Sequence, residues 1–297
     1  MNVIVFGGAG FLGSHVADAL TAAGHRVRIF DLVRSEYLRP EQEMVVGDIL
    51  DREMVAQAVR GMEIVYNFAG IADIDEATKK PIESVTHNIL GNTILLDAAA
   101  REKVKRFIYA STVYVYSNSG SFYRCSKIAC ENYIETYHQQ YGLPYTILRY
   151  GTLYGMRADE RNSIYRYLNQ AMNEGKITYS GCGEETREYI HVVDAAEASV
   201  EILDNGFVNQ NIIFSGHYPM KVKDLFTMIR EILKKDLVIE YVPPASEEPS
   251  DHYMITPYSF LPKLGKKYVK HYYTDMGQGL LMCMQDIFHR TNNGNQR

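Results

Sequence analysis

Tyr123 and Lys127 stand four residues apart in the stretch STVYVYSNSGSFYRCSK, which runs from Ser111 to Lys127. On a helix that spacing puts both side chains on one face. A free phenol, with a pKa of about 10, is a poor base at neutral pH. An ammonium beside it favours the phenolate by attraction of opposite charges. So paired, Tyr123 can take a proton from an alcohol as the adjoining carbon is oxidised, or return one to an alkoxide. A tyrosine and a lysine at this spacing are common by chance. The pair gains meaning only if the chain also supplies somewhere for a hydride to go.

VIVFGGAGFLGSH supplies such a place. Gly7, Gly10 and Gly13 follow directly on an apolar run and open a helical pattern. The G-x-x-G-x-x-G spacing is one residue longer than the common dinucleotide fingerprint. Its physical demands are the same: a tight turn, close approach of backbone to a pyrophosphate, and close helix–strand packing. The first helical residues, Phe11 and Leu12, then lie where unpaired N–H groups meet phosphate. Asp31 ends the second apolar run, 18 residues past Gly13. A carboxylate there accepts from both ribose hydroxyls and repels a 2′-phosphate, so the expected cofactor is NAD rather than NADP. Arg34 nearby argues the other way. A nicotinamide cation would favour the Tyr123 phenolate in the same sense as Lys127.

The elements that must hold these groups alternate in type. NVIVF (2–6), RVRIF (26–30), EMVV (43–46), EIVYNF (63–68), RFIYAS (106–111) and YTILRY (145–150) read as strands, being short, branched or aromatic, and bounded by turn residues. Helical patterns at 11–23, 52–60, 86–101 and 124–141 lie between most of them. This predicts an α/β fold: a doubly wound parallel sheet of the Rossmann type. The second half is less regular, with helices over 162–174, 193–204, 221–234 and 275–289 and strand candidates at 211–216 and 237–242. It predicts a smaller α/β substrate lobe with a cleft between the two. The expected division gives 1–151 to the dinucleotide, with 187–217 returning to it. Residues 152–186 and 218–290 form the substrate lobe, and 291–297 a polar tail.

GGAGFLGSH, GDIL (47–50), NFAG (67–70), YAST (109–112), YRCSK (123–127), LRYGTLYG (148–155) and REYIHVVDAA (187–196) follow one another as in a known family. The chain resembles extended short-chain dehydrogenases/reductases, the NAD-dependent nucleotide-sugar epimerases and dehydratases, over residues 1 to about 240. The resemblance implies that Asp48 and Ile49 hold the adenine and that Phe68, Ala69 and Gly70 line the pyrophosphate and ribose. Plain core packing at a strand end is the competing reading for Phe68 and Ala69. Asn88 is implied to brace the helix of Tyr123. Thr112 becomes the hydroxyl that hydrogen-bonds the reacting oxygen. Ser111 is its neighbour, either against the cofactor or as a satisfied strand-end hydroxyl.

Two departures from the family pattern narrow the chemistry. Dehydratases and decarboxylases of the family carry acidic residues directly after this threonine, for extra proton transfer. Here those positions are Val113 and Tyr114. Valine transfers no proton, which argues against dehydration and leaves reactions that need only a base and a hydride. The second departure is length. Where relatives have a long, often proline-rich segment beside the substrate, only NSGSF (118–122) intervenes, implying a more open cleft.

On the substrate side the resemblance gives Arg187 a nucleotide diphosphate to clamp, which suits a bidentate guanidinium. A salt bridge to Glu184 or Glu188 is the alternative. Thr152 stands where the family has asparagine, and Tyr114 faces the same cleft. Asn162 opens a helix, where its side chain either caps the N-terminus or contacts phosphate. His15 and His191 read as structural, and Asp251 and His252 sit in a loop that in relatives returns to the nucleotide. Four cysteines without paired spacing, and no other ligand cluster, predict no metal site and reduced thiols. A net charge of −5 speaks against nucleic-acid and membrane surfaces. With no signal-like start and no membrane-length apolar run, a cytoplasmic protein is expected. Helices 86–101 and 124–141 share a flank that by analogy with the family makes a homodimer. The reading is an NAD-dependent nucleotide-sugar 4-epimerase. A 4-ketosugar reductase or 4,6-dehydratase is the alternative, and a non-catalytic dinucleotide sensor the rival from another class.

Overall fold

In strand β1 (Asn2–Phe6) successive side chains alternate, Val3 and Val5 toward one face and Ile4 and Phe6 toward the other, and all four are buried. A strand apolar on both faces belongs in the middle of a covered parallel sheet. The computed structural model describes residues 1–242, apart from 217 and 235, together with 254 and 255. The expected helix over 275–289, the tail, Cys283, Asp251 and His252 lie outside the described residues.

From β1 the chain continues through α1 (Phe11–Ala22), β2 (Arg26–Asp31), β3 (Glu43–Val46), α2 (Arg52–Val59) and β4 (Ile64–Asn67). Then come α3 (Ile74–Lys79), a single turn α4 (Pro81–Glu83), a π-helical segment Ser84–Leu90, and α5 (Gly91–Arg101). Strand β5 (Arg106–Thr112), a 3₁₀ turn Val113–Tyr116, α6 (Ser121–Tyr141) and β6 (Tyr145–Tyr150) complete the first half. The second half adds β7 (Thr152–Tyr154), α7 (Ser163–Asn173), β8 (Lys176–Ser180), β9 (Thr186–His191) and α8 (Val192–Glu201). It closes with β10 (Gln210–Phe214), β11 (Pro219–Lys221), α9 (Val222–Leu233) and β12 (Val238–Val242).

Among the described residues seven parallel strands form one sheet in the order β3-β2-β1-β4-β5-β6-β10. The order reverses between β1 and β4, and in such sheets the crevice for a ligand opens there, beyond the strands' carboxyl ends. One face carries Ile4, Phe6, Phe107 and Tyr109 under α2, α5 and α6. The other carries Val5, Ile29, Tyr66 and Leu148 under α1 and α8. Helix α8 is fastened from the second half of the chain: Tyr66 Oη donates to Ser199 O at 2.6 Å, and Arg106 Nη1 donates to Ile202 O at 2.6 Å. A separate core of Ala171, Ile177, Tyr179, Phe226 and Ile229 joins α7, α9 and β8. Beside it, β11-β9-β7 and β12-β8 make two small sheets.

Several elements differ from expectation. Helix α6 begins at Ser121, earlier than the pattern indicates, because Gly120 (φ +102°) and Ser121 (φ +45°) turn the chain sharply into it. The helix expected from 86 starts two residues sooner, in π geometry. Helix α3 is short but signalled by Asp73, whose Oδ1 accepts from Glu76 N at 2.7 Å; six residues are too few for a periodic pattern to show. Strand β7, three residues long, is too short to alternate.

Candidate active site

The glycine loop is built by backbone contact. Gly7 has φ +75°, and a Cβ there would lie 2.6 Å from Ala69 N and 2.7 Å from Phe68 C, so the turn after β1 presses on the turn after β4. A Cβ at Gly13 would lie 2.2 Å from Gly7 O. At Gly10 a Cβ would meet only Gly7 O, at 3.3 Å. Gly10 is the N-cap of α1 and makes no side-chain cap hydrogen bond, so no capping side chain takes the first-turn N–H groups beside Phe11 and Leu12. Asp31 closes β2, and its Oδ2 accepts from Ala9 N at 2.9 Å, tying the acid to the loop. An uncapped helix start, a loop with no side chain larger than a methyl group and a carboxylate at its rim together fit the pyrophosphate and ribose of a dinucleotide.

The neighbouring turns form the walls. After β3, Asp48 Oδ1 accepts from Leu50 N at 2.9 Å, and buried Ile49 packs against Gly91. The Phe68 ring turns into the core, stacking on Tyr66 at 5.9 Å between centroids and tilting on Tyr150 at 6.5 Å. What Phe68 offers the crevice is therefore backbone. Gly70 has φ +135°, and a Cβ there would lie 2.5 Å from Asn88 Oδ1. Asn88 sits in the π-helical segment, a distortion often found at functional sites. Its Oδ1 accepts from Ile71 N at 2.7 Å, and its Nδ2 donates to Ile71 O at 3.0 Å and Ser126 Oγ at 2.9 Å. Ser126 Oγ in turn donates to Tyr123 O at 2.8 Å. Asn88 thus joins the turn after β4 to the first turns of α6.

Thr112 ends β5, and its Oγ1 accepts from Tyr114 N at 3.3 Å, which leaves the hydroxyl proton for a donor role. The Tyr123 ring, at the head of α6, meets the Tyr114 ring edge-on with centroids 6.4 Å apart. One turn further, buried Lys127 Nζ donates to Ala110 O at 2.7 Å. It lies 4.7 Å from the centre of the Tyr109 ring and 5.6 Å from that of Tyr123. Burial lowers the Lys127 ammonium to about 8, opposed by Cys130 and Glu131. At neutral pH it remains mostly charged, so a cation faces the phenol.

Sequence reasoning missed Glu131, which gathers the groups around this pair. Ser111 Oγ donates to Glu131 Oε1 at 2.5 Å. Glu131 also receives Arg149 in a fork, Nε to Oε1 at 3.0 Å and Nη2 to Oε2 at 2.6 Å. Arg149 Nη1 donates to Tyr116 Oη, and the guanidinium lies 4.8 Å from the Tyr116 ring centre. The Ser111 hydroxyl is therefore committed to Glu131, as a satisfied strand-end hydroxyl. A signal was present: Glu131 repeats the four-residue step from Tyr123 to Lys127.

Two of the substrate-side candidates, Thr152 and Arg187, belong to the small sheet β11-β9-β7. Thr152 opens β7 opposite Tyr189 of β9. Arg187 lies two residues earlier on β9, and its Nη1 donates to Thr186 O at 3.1 Å and Met254 O at 3.4 Å. Glu184 is taken by Lys221 and Lys223, and Glu188 accepts from Ser215. Asn162 caps α7, accepting from Ile164 N and Tyr165 N while donating to Leu153 O at 2.8 Å. Its amide is largely spent on structure. His15 bonds Phe11 O, and His191 caps α8. Cys125, Cys130 and Cys182 are free thiols, and among the described residues no His, Cys, Asp and Glu group could hold a metal. No described helix is long and apolar enough to cross a membrane.

The structure thus gathers the glycine loop, Asp31, the turn at 68–70, Asn88, Thr112, Tyr123 and Lys127 around the ends of β1, β2, β4 and β5. Thr152, Asn162 and Arg187 stand beyond β6. Known proteins share the fold. The structure matches a UDP-glucose 4-epimerase from Thermotoga maritima, solved with UDP-glucose, at a TM-score of 0.80 and 28% identity, covering 88% of this chain and 90% of that one. In sequence the chain is 31% identical to a UDP-N-acetyl-alpha-D-glucosaminuronate decarboxylase of Bacillus cytotoxicus, over 81% of this chain and 83% of that protein. It is 29% identical to a dTDP-D-glucose 4,6-dehydratase of Dictyostelium discoideum over 69% of this chain, spanning only 56% of that protein's length. The model of the NAD dependent epimerase/dehydratase family matches residues 3–214. With its glycine loop, its acid at the end of β2 and its Tyr–Lys helix all inside that match, the chain belongs to the NAD-dependent epimerase/dehydratase family.

Proposed function

We propose that this protein is an NAD-dependent nucleotide-sugar 4-epimerase. The observation that carries the choice within the family is the turn after Thr112. Val113 is fully buried, and Tyr114 follows with its N–H bonded back to Thr112. No carboxyl group stands at these two positions to assist elimination or decarboxylation. What remains is a base, a hydroxyl donor and a cation, enough for reversible oxidation of a secondary alcohol.

Bound NAD supplies the acceptor and donor of hydride. Gly7, Gly10 and Gly13 with Phe11 and Leu12 hold its pyrophosphate, Asp31 its adenosine ribose, and Asp48 and Ile49 its adenine. Tyr123 takes the proton of the C4 hydroxyl, Thr112 donates to the same oxygen, and Lys127 stabilises the phenolate. After the 4-keto sugar has turned in the cleft, Tyr123 returns the proton. The short connection from Ser117 to Gly120 leaves room for that turning. Arg187 and Thr152 hold the diphosphate and sugar, Tyr114 lines the cleft, and Asn162 shapes it by capping α7. Residues 1–151 with 187–217 serve the cofactor, and 152–186 with 218–290 the substrate.

A panel of UDP-, GDP- and dTDP-sugars, analysed for stereoisomers, tests the reading. Interconversion of one C4 pair without added coenzyme is expected, and no stereoisomer from any sugar overturns it. Consumption of added NADH would make the protein a ketosugar reductase, and a 4-keto-6-deoxy product a dehydratase. We also propose a homodimer through the α5–α6 flank, where Leu90, Tyr133 and Tyr141 are exposed, Tyr141 by 70%. A cytoplasmic location accords with this role.

A further inference from the structure

The three groups assigned to proton transfer come from two elements. Thr112 ends β5, while Tyr123 and Lys127 ride on α6, and only a 3₁₀ turn and four residues join them. So short a connection does not by itself set the height of a helix over a strand. Something must hold α6 against the end of β5, and the structure has it in the buried carboxylate of Glu131.

Glu131 lies one turn beyond Lys127 on the inward face of α6 and is 7% exposed. It accepts from Ser111, the residue directly before Thr112, while Lys127 donates to Ala110, the residue before that. Arg149 grips both carboxylate oxygens from β6, where it pairs in register with Ser111. Its remaining arm reaches Tyr116 in the turn that carries Val113 and Tyr114. One carboxylate thus contacts the helix, the strand and, through Arg149, the turn. A bidentate Arg–carboxylate pair fixes geometry as well as charge. Besides the Ala110 carbonyl, four titratable groups face Lys127: Tyr109 from β5, and Tyr123, Cys130 and Glu131 from its own helix. Arg149 of β6 stands behind Glu131.

We infer that Glu131, held by Arg149, is a positioning residue: it sets Thr112 against Tyr123 and supplies the counter-charge to buried Lys127. The inference rests on the roles given above to Thr112, Tyr123 and Lys127, and extends them to a residue that touches no substrate. Charge makes it separable from mere packing. Loss of the carboxylate exposes Lys127 to the uncompensated guanidinium and disfavours the ammonium. Loss of the guanidinium leaves the carboxylate unmasked and favours it.

The test follows the Lys127 Nζ by NMR of 15N-lysine-labelled, NAD-loaded protein, assigned with Lys127→Met, through a pH titration. Glu131→Gln is expected to lower the titration midpoint by about one pH unit, and Arg149→Met to raise it. Midpoints that stay put, or move in the same direction, overturn the electrostatic role. If a single variant fails to fold, Glu131→Gln/Arg149→Met removes both charges. Its midpoint is expected below wild type because the carboxylate, unlike the guanidinium, acts on Lys127 directly, and a wild-type value overturns the inference. Ser111→Ala keeps both charges and cuts only the link to β5. It is expected to lower kcat about tenfold at unchanged KM with the Lys127 midpoint in place, and an unchanged kcat overturns the positioning of Thr112. The titration needs no sugar, so a failed epimerase assay sinks the proposed function without deciding this one.

Discussion

The crevice has two halves made in different ways. Around the glycine loop the site is backbone: Gly7 touches Ala69, Gly13 touches Gly7, and the one side chain that orders the loop is Asp31. Around α6 the site is side chain: Lys127, Glu131, Arg149, Ser111 and Asn88 form a buried polar frame with direct partners at every step. Holding a pyrophosphate takes N–H groups and the absence of Cβ atoms. Moving a proton takes a phenol beside a cation, and a cation out of water must be compensated. The first half fails by steric intrusion, the second by loss of charge.

Variants can break that contrast at either end. The largest effect is expected from Tyr123→Phe, which removes the proposed proton acceptor and leaves the frame intact. The rate of epimerisation should fall by about 10²–10⁴, while NAD released on denaturation stays at the wild-type amount. Gly13→Ala attacks the other half, because its Cβ would sit 2.2 Å from Gly7 O. The loop cannot close, and a loss of about 1–3 kcal/mol in stability with little bound NAD is expected from denaturant unfolding and cofactor analysis. Gly10→Ala, facing only Gly7 O at 3.3 Å, should keep the stability and weaken cofactor binding alone. If Gly10→Ala destabilises as much as Gly13→Ala, the account of the loop is wrong.

Acidity sharpens the comparison on the α6 side. Burial lowers Lys127 from 10.5 to about 8. Below about pH 8 the lysine is protonated in both folded and unfolded chains, so the cost of its buried charge is present in full. Between about 8 and 10.5 the unfolded chain holds more protons than the folded one, and stability from this group rises with pH by up to about 3 kcal/mol. Activity should move the other way, falling above about pH 8 as the ammonium beside Tyr123 is lost. Urea unfolding and kcat measured across pH 7–10 check the opposed slopes, and Lys127→Met should flatten the stability slope. The smallest effect is expected at the flank: Tyr141→Glu should weaken the dimer without altering kcat per protomer, read by sedimentation.

The first half was legible because its physics is written in residue types. A glycine triplet after an apolar run and an acid ending the next strand have few other reasons to occur together. Strands apolar on both faces read clearly too. The α6 side was legible only in part. Tyr123 and Lys127 stood out by spacing, but Glu131 on a helix looks like any solvated acid, and its partners Ser111 and Arg149 come from other elements. Pairing across a sheet depends on register, which no local pattern records. The short elements were lost for a related reason: β7 and α3 hold too few residues for a period to emerge. At Phe68 the sequence left core packing and cofactor contact both open, and the ring is spent on Tyr66 and Tyr150.

The tight link into α6 has one more consequence. Ser117 Oγ accepts from Ser119 N, and Gly120 leaves so little space that a Cβ would strike the Tyr114 ring at 2.7 Å. Point substitution at Gly120 is therefore closed. Lengthening the chain just before it is not, since the entropy of a closed loop grows only slowly with added residues. A designer who wanted this enzyme to discriminate among sugars could splice a selective lid between Asn118 and Ser119 and leave the proton-transfer frame unaltered.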